Sequence, residues 1–379
     1  MKTILSFLKP TSHRNRMKDL GSKGMPKPEG KLRTESIHSH LVFLLFVFLQ
    51  MFFCLTPITI AIEDYTLTSQ SKISVGGADR FILTAPANLG GQIYMEVWNE
   101  ENCQVKFKVW AKANTREKAQ QFTGMVDLAL ERNDDLVTLK LITPHPAPWE
   151  GSNFGIEASL YIFLPRNFNV ETKTQGFDLD LSGPFNKVDI QNQYGDIQVS
   201  DVSEETNITG SYDQVEVKNI QGELNIETSY NSILAQDINT KDNQANLKTS
   251  YGKINVERFE GQLEANTVYS NIYASDITLR GGRNEIKTVY SKIDLDLIEI
   301  EDATLFVNNT YGNIDVVASP DLSARLLLNV GRGGKIHTTG IIIQPTELNR
   351  TTLEGICGDG DSEIEISIEG IGQIVLEGR

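Results

Sequence analysis

Carboxylate side chains are the residues of this 379-residue chain best suited to acid–base chemistry. Hydrolysis of a glycosidic bond needs two carboxylates close together, one as the acid and one as the base or nucleophile. The candidates are Asp178, Asp180, Asp196, Asp213, Asp294, Asp296 and Asp315. Because they are scattered over different segments, we interpret them as solvated side chains on faces and corners. A polysaccharide-degrading enzyme is the alternative hypothesis that they leave open.

Motifs for other kinds of catalysis are absent from the sequence. It has no G-x-S-x-G, H-E-x-x-H, P-loop or C-x-x-C pattern. Gly331–Gly334 is glycine-rich but does not open a helix, so we interpret it as a turn. Gly358–Asp361 is one acidic turn without the repeated ligand spacing of a calcium β-roll. We therefore predict no enzyme, no cofactor and no metal site.

The N-terminal region carries an export signal. Residues 1–40 hold nine Lys/Arg and three acidic residues, and an apolar run follows over 41–62. This pattern predicts a signal peptide cleaved after Ala61, or an uncleaved membrane anchor. The basic lead is long for a signal, so Met17 and Met25 are alternative starts. Cys103 and Cys357 would remain after cleavage, and their pairing is left open.

The charge of the chain restricts its partners. The net charge is −15, and the N-terminal 40 residues contribute +6, so the remainder is strongly acidic. Such a surface repels nucleic acid and anionic lipid. We predict no nucleic-acid partner.

Residues 63–175 form the first predicted structural region. Strand-like alternation runs from Ser71 to Pro165, with one predicted helix over Thr115–Arg132. Three tryptophans fall here, and we attribute them to packing rather than to a sugar-binding groove: Trp98, Trp110 and Trp149.

Residues 176–379 repeat a short unit. Seven tetrapeptides share a tyrosine, two mostly small or polar residues, and then Ile or Val, with steps of 18, 18, 21, 18, 21 and 21 residues between the tyrosines. These tyrosines are Tyr194, Tyr212, Tyr230, Tyr251, Tyr269, Tyr290 and Tyr311. Four apolar columns keep the same register, at positions −4, +3, +5 and +8 from the tyrosines, and the +8 column fades at Ser319.

The repeat predicts a parallel β-solenoid. The parity of the apolar positions changes just after the tyrosine, so the chain should turn a corner there, with Gly195, Gly252 and Gly312 accepting positive φ. Units of 18–21 residues bury their apolar faces only by stacking. A β-propeller blade would need about 40 residues. We expect the units after Ala318 to be divergent terminal coils.

The tyrosine column has two interpretations. A packing ladder at a corner would stack each ring on the next. An exposed column would be an aromatic strip suited to sugar rings. We favour the ladder, because each tyrosine shares parity with the apolar residue four positions before it.

Two features of the sequence resemble a bacterial family of adhesin-like exported proteins of unknown function with a β-solenoid head. They are the stretch 161–183, in which a strand ends at a proline before the solenoid begins, and the recurring YGDI, YGKI and YGNI units. The resemblance covers Ser71–Arg379. It implies an all-β fold and no catalytic residues.

From these observations we predict a non-enzymatic protein of the cell envelope or cell surface, with a β-solenoid that presents a repetitive binding face. The expected location is the periplasm, the outer surface or the medium. Surface glycans, envelope polymers or a second copy are the candidate partners. A membrane-anchored periplasmic scaffold or sensor is the remaining alternative.

Overall fold

The repeat units stack as the tyrosine spacing requires. In the computed structural model, which describes residues 62–379, parallel strands pair at the same sequence offsets as the tyrosines. Ile197 lies beside Val215, an offset equal to the step from Tyr194 to Tyr212. Ile233 lies beside Ile254, an offset equal to the longer step from Tyr230 to Tyr251. The chain is therefore a β-solenoid, and the tyrosine steps give the length of each coil.

The first part of the chain contributes strands and one helix to the start of the stack. In chain order they are β1 (Glu63–Ser74), β2 (Arg80–Thr84), β3 (Gly90–Val97), β4 (Asn102–Ala113), α1 (Arg116–Thr123), β5 (Asp127–Asn133), β6 (Leu136–Ile142), β7 (Gly155–Leu164) and β8 (Asn169–Lys173).

The central coils follow. Their strands are β9 (Phe177–Gln191), β10 (Ile197–Thr209), β11 (Val215–Gln221), β12 (Glu223–Glu227), β13 (Ile233–Lys248), β14 (Ile254–Asn266), β15 (Ile272–Arg280), β16 (Arg283–Thr288), β17 (Ile293–Glu301), β18 (Thr304–Asn309) and β19 (Ile314–Ala318). The last strands are β20 (Ala324–Val330), β21 (Lys335–Thr339), β22 (Gln344–Leu348), β23 (Thr352–Cys357), β24 (Ser362–Ile368) and β25 (Gln373–Gly378).

Each coil supplies one strand to each of two facing sheets. The front sheet begins just after each tyrosine and has the order β1-β4-β7-β3-β9-β10-β11-β13-β14-β15-β17-β19-β25-β21. The back sheet has the order β5-β6-β2-β8-β9-β10-β12-β13-β14-β16-β18-β24-β20-β23-β22. The four long strands β9, β10, β13 and β14 belong to both sheets.

The core between the sheets is built from the predicted apolar columns. The side chains at −4, +3 and +5 are at most 3% exposed in all seven coils. The +8 column fails in one coil, because Ile298 is 53% exposed and Leu297 takes its place in the core. The pairing slips there, with Ile277 beside Leu297 and Thr278 beside Glu299.

A second corner separates the front and back strands, and sequence reasoning missed it. In five coils the residue seven positions after the tyrosine has a positive φ of 53–60°. These residues are Asp201, Asn219, Asp237, Arg258 and Asp276. Asp and Asn tolerate this conformation better than other non-glycine residues, which was the signal available in the sequence. At Leu297 the positive φ is absent, and this is where the pairing slips.

The predicted helix over Thr115–Arg132 is half wrong. Thr115 caps α1 by accepting a hydrogen bond from the Lys118 N–H, but the helix ends at Thr123. The following residues form β5, antiparallel to β6, with Leu130 beside Leu139. Leu128 and Leu130 lie two residues apart and so share one face of a strand, and tertiary pairing outweighs the helical pattern.

Antiparallel strands close both ends of the stack, whereas the central coils are wholly parallel. At the first end these pairs are β1–β4, β4–β7 and β5–β6. At the last end they are β20–β23 and β22–β23. The strands β24 and β25 come last in sequence but lie between β18/β19 and β20/β21.

Several predictions fall outside the described residues. They are the basic lead, the apolar run apart from Ile62, the cleavage after Ala61 and the alternative starts. Among residues 62–379, no helix has the length and apolar character needed to span a bilayer.

Candidate functional site

The seven repeat tyrosines form one stacked column along a corner of the solenoid. Neighbouring ring centroids lie 4.6–5.6 Å apart, and the ring planes are within 3–11° of parallel. Each side chain is nevertheless 44–57% exposed. We call this surface the tyrosine column. It combines the stacking of a ladder with the exposure of a surface strip.

The parity argument failed to predict the exposure of these rings. The back strands end before the tyrosine; β12, for example, ends at Glu227 and Thr228 is still buried. Side chains alternate between faces only within a strand. Tyr230 therefore lies on the corner itself, outside the core.

Backbone hydrogen bonds hold the last five tyrosines at their corners. Starting with Tyr230, each tyrosine donates its backbone N–H to the preceding coil. The acceptor is the carbonyl of the residue directly before that coil's own tyrosine, at 2.7–3.1 Å. The acceptors are Ser211, Ser229, Ser250, Val268 and Val289. The spacing of the rings is thus set by the coils.

Buried polar side chains two positions before each tyrosine complete the corner. Thr228, Thr249, Thr267, Thr288 and Asn309 each donate to the carbonyl of the residue just after the preceding tyrosine, at 2.6–3.2 Å. All are at most 6% exposed. They satisfy carbonyls that turn away from the sheets, which would otherwise be costly to bury.

The corner glycines are needed for close approach, not for the positive φ that we predicted at all three. Gly312 has φ +153°, but Gly195 and Gly252 do not have positive φ. A Cβ on Gly195 would lie 2.0 Å from the Phe177 carbonyl oxygen, and one on Gly252 would lie 1.8 Å from that of Asn231.

Asp213 is the one buried carboxylate of the seven candidates. Its Oδ1 accepts from Gly195 N–H at 2.7 Å and from Asn192 Nδ2 at 3.1 Å, and its Oδ2 accepts from Ser211 N–H at 2.9 Å. Gly210 leaves the space, since a Cβ there would lie 2.3 Å from Oδ2. Burial raises the pKa of Asp213 above its ordinary value. This carboxylate joins two coils.

Four of the other six carboxylate candidates have partners on the surface, whereas Asp180 is half-buried and Asp196 is exposed. Lys292 Nζ lies 2.5 Å from Asp294 and 2.7 Å from Asp315, which are neighbours on the front sheet. Arg379 pairs with Asp296, and Asp178 accepts from the Asp196 N–H. The structure therefore places Asp294 and Asp315 side by side, and the ammonium group of Lys292 lies against both carboxylates.

The proximity of the hydroxyl groups affects their ionisation. The charge that a neighbouring Tyr230 would carry raises the pKa of Tyr212, and desolvation adds to this. The Tyr212 hydroxyl therefore keeps its proton at neutral pH, and it is able to donate and accept a hydrogen bond.

A polar groove lies beside the first rungs of the tyrosine column. It has a volume of about 650 Å³. Its polar lining includes Lys173, Gln175, Gln191, Gln193, Thr209 and Ser211. This lining adds amide, hydroxyl and ammonium groups to the start of the column.

The two acidic or glycine-rich turns have structural roles. Ser323 Oγ donates to Asp361 at 2.9 Å and accepts from the N–H groups of Asp359 and Gly360 at 3.1 Å, which closes the acidic turn. Gly334 N–H donates to the Gly331 carbonyl in the turn between β20 and β21. Within residues 62–379, no group of three or more His, Cys, Asp or Glu side chains is placed to hold a metal ion.

The tryptophans and cysteines do not belong to the tyrosine column. Trp149 is buried and meets Phe122 edge-on at 5.8 Å, whereas Trp98 packs beside Phe163. Cys103 and Cys357 are both buried and free, so the disulfide that the sequence left open is not formed. Burial raises the pKa of Cys103 to about 12, which makes its thiol unreactive at neutral pH.

Several solved structures are similar to this chain. One is a "putative cell adhesion protein" from Clostridium sporogenes, at 10% identity and TM-score 0.22, covering 83% of this chain and 100% of that chain. A "putative adhesin" from Bacteroides fragilis has 12% identity and TM-score 0.26, with 82% and 97% covered. A "putative lipid binding protein" from Parabacteroides distasonis has 14% identity and TM-score 0.28, with 82% and 96% covered.

No curated protein matches the sequence. The model of the Toastrack DUF4097 family matches residues 92–326, which is more than half of the chain. The match begins within β3 and includes every rung of the tyrosine column. The chain belongs to the Toastrack DUF4097 family.

Proposed function

We propose that this protein is an exported, non-enzymatic module of the cell envelope or cell surface, and that the tyrosine column is its binding face. The ligand is an extended polymer with a short repeat, such as a surface glycan or another envelope polymer. The apolar run over 41–62 supports export. The solenoid supplies a rigid support on which identical groups recur.

The exposed stacking of the seven rings is the observation that carries this proposal. Seven hydroxyl groups follow one another on rings 4.6–5.6 Å apart, on corners tied to their neighbours by backbone hydrogen bonds. Each hydroxyl offers one donor and two acceptor lone pairs. A polymer with a matching repeat gains the same contact at each rung, and these contacts reinforce one another.

The stacking also determines how such a polymer would bind. Carbohydrate rings usually pack on the face of an aromatic ring, but here the faces of the inner rings cover one another. The ring edges and hydroxyls remain exposed. We therefore expect recognition by hydrogen bonds along the column, supplemented by the amides of Gln175 and Gln193 in the adjoining groove.

The state of the carboxylates supports a non-enzymatic role. The pair Asp294 and Asp315 shares Lys292, and Asp213 accepts three hydrogen bonds inside the corner. None of the three is placed as a free acid beside a free base, the arrangement that glycoside hydrolysis requires.

A hydroxyl deletion tests the binding face without disturbing its packing. The purified protein is screened against an array of bacterial surface and envelope glycans, and then compared with a variant carrying Tyr230→Phe, Tyr251→Phe and Tyr269→Phe. Phenylalanine retains the stacked rings but removes three hydroxyls. We expect binding to weaken by at least about tenfold, since each lost hydrogen bond contributes about 1 kcal/mol, while the melting temperature stays within a few degrees.

Two results would contradict the proposal. Equal binding by the two proteins would exclude the column as the binding face. Shortening of a polysaccharide that is abolished by one carboxylate substitution, such as Asp294→Asn, would show that the chain is an enzyme.

A further inference from the structure

Within residues 62–379 the two sheets have four outer edge strands, and one of them is much longer than the other three. Exposed edges invite pairing with another strand, and proteins usually block them with proline, charge or short length. Strand β22 contains Pro345 and β21 has five residues. Strand β5 carries Asp127, Glu131 and Arg132 among seven residues.

Strand β1 has weaker protection, because its three charged residues, Glu63, Asp64 and Lys72, lie near its two ends. It has 12 residues, no proline, and no charged residue from Tyr65 to Ser71. All 12 residues pair with β4 on one side, and within residues 62–379 no strand pairs with the other side. Within the described residues no strand takes up the backbone donors and acceptors on this outer side, while α1 packs against β1 and brings Arg116 to 5.9 Å from the centre of the Tyr65 ring.

The surroundings of β1 leave room for another strand. A groove of about 460 Å³ separates Ser71–Ile73 from Leu128–Glu131 of β5. Leu67, on the inward-facing side of β1, is still 36% exposed. An added strand would cover this leucine and extend the front sheet.

The sequence of β1 is complementary to itself in one antiparallel register. Even-numbered residues face outward, since Gln70 lies opposite the exposed Lys106 of β4. When two copies of β1 pair, their even-numbered residues lie on the same face only if even-numbered residues are opposite one another. The two residue numbers of each pair then add up to an even number. With a two-fold axis at Thr68, Asp64 of each copy lies opposite Lys72 of the other copy. The dimer therefore contains this contact twice.

The remaining pairs in this register are also favourable. Thr66 lies opposite Gln70 of the second copy, and Thr68 lies opposite its own counterpart. Opposite charges and Thr–Thr pairs directly across antiparallel strands stabilise a sheet. Asp64 and Lys72 are accessible, since Asp64 accepts only from Trp110 Nε1 at 3.2 Å and the Lys72 side chain, which pairs with Glu100, is 43% exposed.

We infer that this protein forms a symmetric dimer in which β1 pairs antiparallel with β1 of a second copy, with Thr68 on the two-fold axis. The front sheets of the two copies then become one continuous sheet. The interface is closed, because the same edge is used by both copies and no free β1 edge remains. The two tyrosine columns lie on separate halves of the dimer.

Cysteine cross-linking tests the position of the axis. The full chain is expressed with Cys54→Ser and either Thr68→Cys or Thr66→Cys, and oxidised before denaturing electrophoresis. Two residues at position 68 face each other at about 5 Å between Cβ atoms. Two at position 66 are offset by four residues, about 13 Å, beyond the reach of a disulfide.

We expect a cross-linked dimer from Thr68→Cys, with a yield at least about tenfold above that of Thr66→Cys. The buried Cys103 and Cys357 should not contribute. Equal yields from the two variants, or no dimer from either, would overturn the inference.

A charge exchange tests the register independently. Lys72→Asp places an aspartate opposite Asp64 at both contacts of the dimer. This repulsion should raise the dissociation constant of the dimer by at least about tenfold. Adding Asp64→Lys restores opposite charges and should recover dimerisation, measured by analytical ultracentrifugation. Circular dichroism melting checks that each variant is folded. A protein that stays monomeric throughout, or a double variant that is not rescued, would contradict the proposed pairing.

Discussion

At the scale of single residues, the tyrosine corner depends on polar groups that never reach solvent. Thr228, Thr267 and Thr288 each donate to a carbonyl of the preceding coil, so a small polar residue in the repeat has a defined purpose. Where the coil has Gly210 instead, Asp213 reaches into the space and accepts from two coils. The carboxylate thus occupies the space of the usual threonine, but it accepts hydrogen bonds where the threonine donates one.

Removing this carboxylate should destabilise the solenoid. Asp213→Ala leaves the N–H groups of Gly195 and Ser211 and the amide of Asn192 without their acceptor. Buried unsatisfied donors cost about 1–3 kcal/mol each, so we expect a loss of about 3 kcal/mol or more in denaturant unfolding. The exposed Asp196→Ala is the control, with a change within about 0.5 kcal/mol. Similar losses for both would contradict this role.

The pH dependence of stability offers a second test of Asp213. Burial raises its pKa in the folded protein above the ordinary 3.8. The folded state therefore binds the proton more tightly than the unfolded state, and the stability gained from protonation is lost as pH rises through the folded pKa. We expect unfolding free energy, relative to Asp213→Asn, to fall between about pH 3 and about pH 7. A difference that rises with pH would show that hydrogen bonding outweighs burial.

At the scale of elements, the sequence predicted the coils well and the corners poorly. The tyrosine steps match the strand offsets because each coil must return to the same place in the stack. The corner at Asp201 and Asp237 was missed, because a single residue with positive φ has no periodic hydrophobic signal. The exposure of the tyrosines was missed because parity does not extend beyond the end of a strand. Strand β5 was missed because seven residues with two leucines fit a helix equally well.

Thr249 tests whether the corner is a structural element in its own right. It lies just after the end of β13 but still makes two hydrogen bonds to neighbouring coils. Its N–H donates to the backbone carbonyl of Asn266 at 3.0 Å, and its Oγ1 donates to the backbone carbonyl of Asn231 at 3.2 Å. Thr249→Pro removes both bonds and should cost about 3 kcal/mol or more in stability. Thr249→Val keeps the N–H bond and should cost about 1–2 kcal/mol. Circular dichroism melting that ranks the valine variant below the proline variant would contradict this.

At the scale of the whole molecule, the solenoid is a stack in which each coil contacts mainly its neighbours. The stability of such stacks is close to a sum of coil and interface contributions, and their ends need capping. The first end is closed by α1 and antiparallel strands, and the last end by the hairpin of β22 and β23. The interior resembles an ordered column, whereas the two ends are irregular.

Removing the segment 362–379 should open the stack from within. A chain that ends at Asp361 lacks β24 and β25, which pair with β18 and β19 on one side and with β20 and β21 on the other. We expect amide hydrogen exchange to accelerate in all four neighbours, while β10 to β14 stay protected. Ile371→Ala, at a 72% exposed site, is the control and should change little. Continued protection of β20 and β21 in the truncated chain would contradict the strand order.

The position of β24 and β25 also has a consequence for the order in which the molecule is assembled. A chain that folds as it is synthesised can add coils one by one up to β19. The next strands in sequence, β20 and β21, belong one layer further out. Their place against the stack exists only after β24 and β25 have arrived. The protein therefore cannot finish folding until the segment 362–379 has been synthesised, and this segment completes the stack.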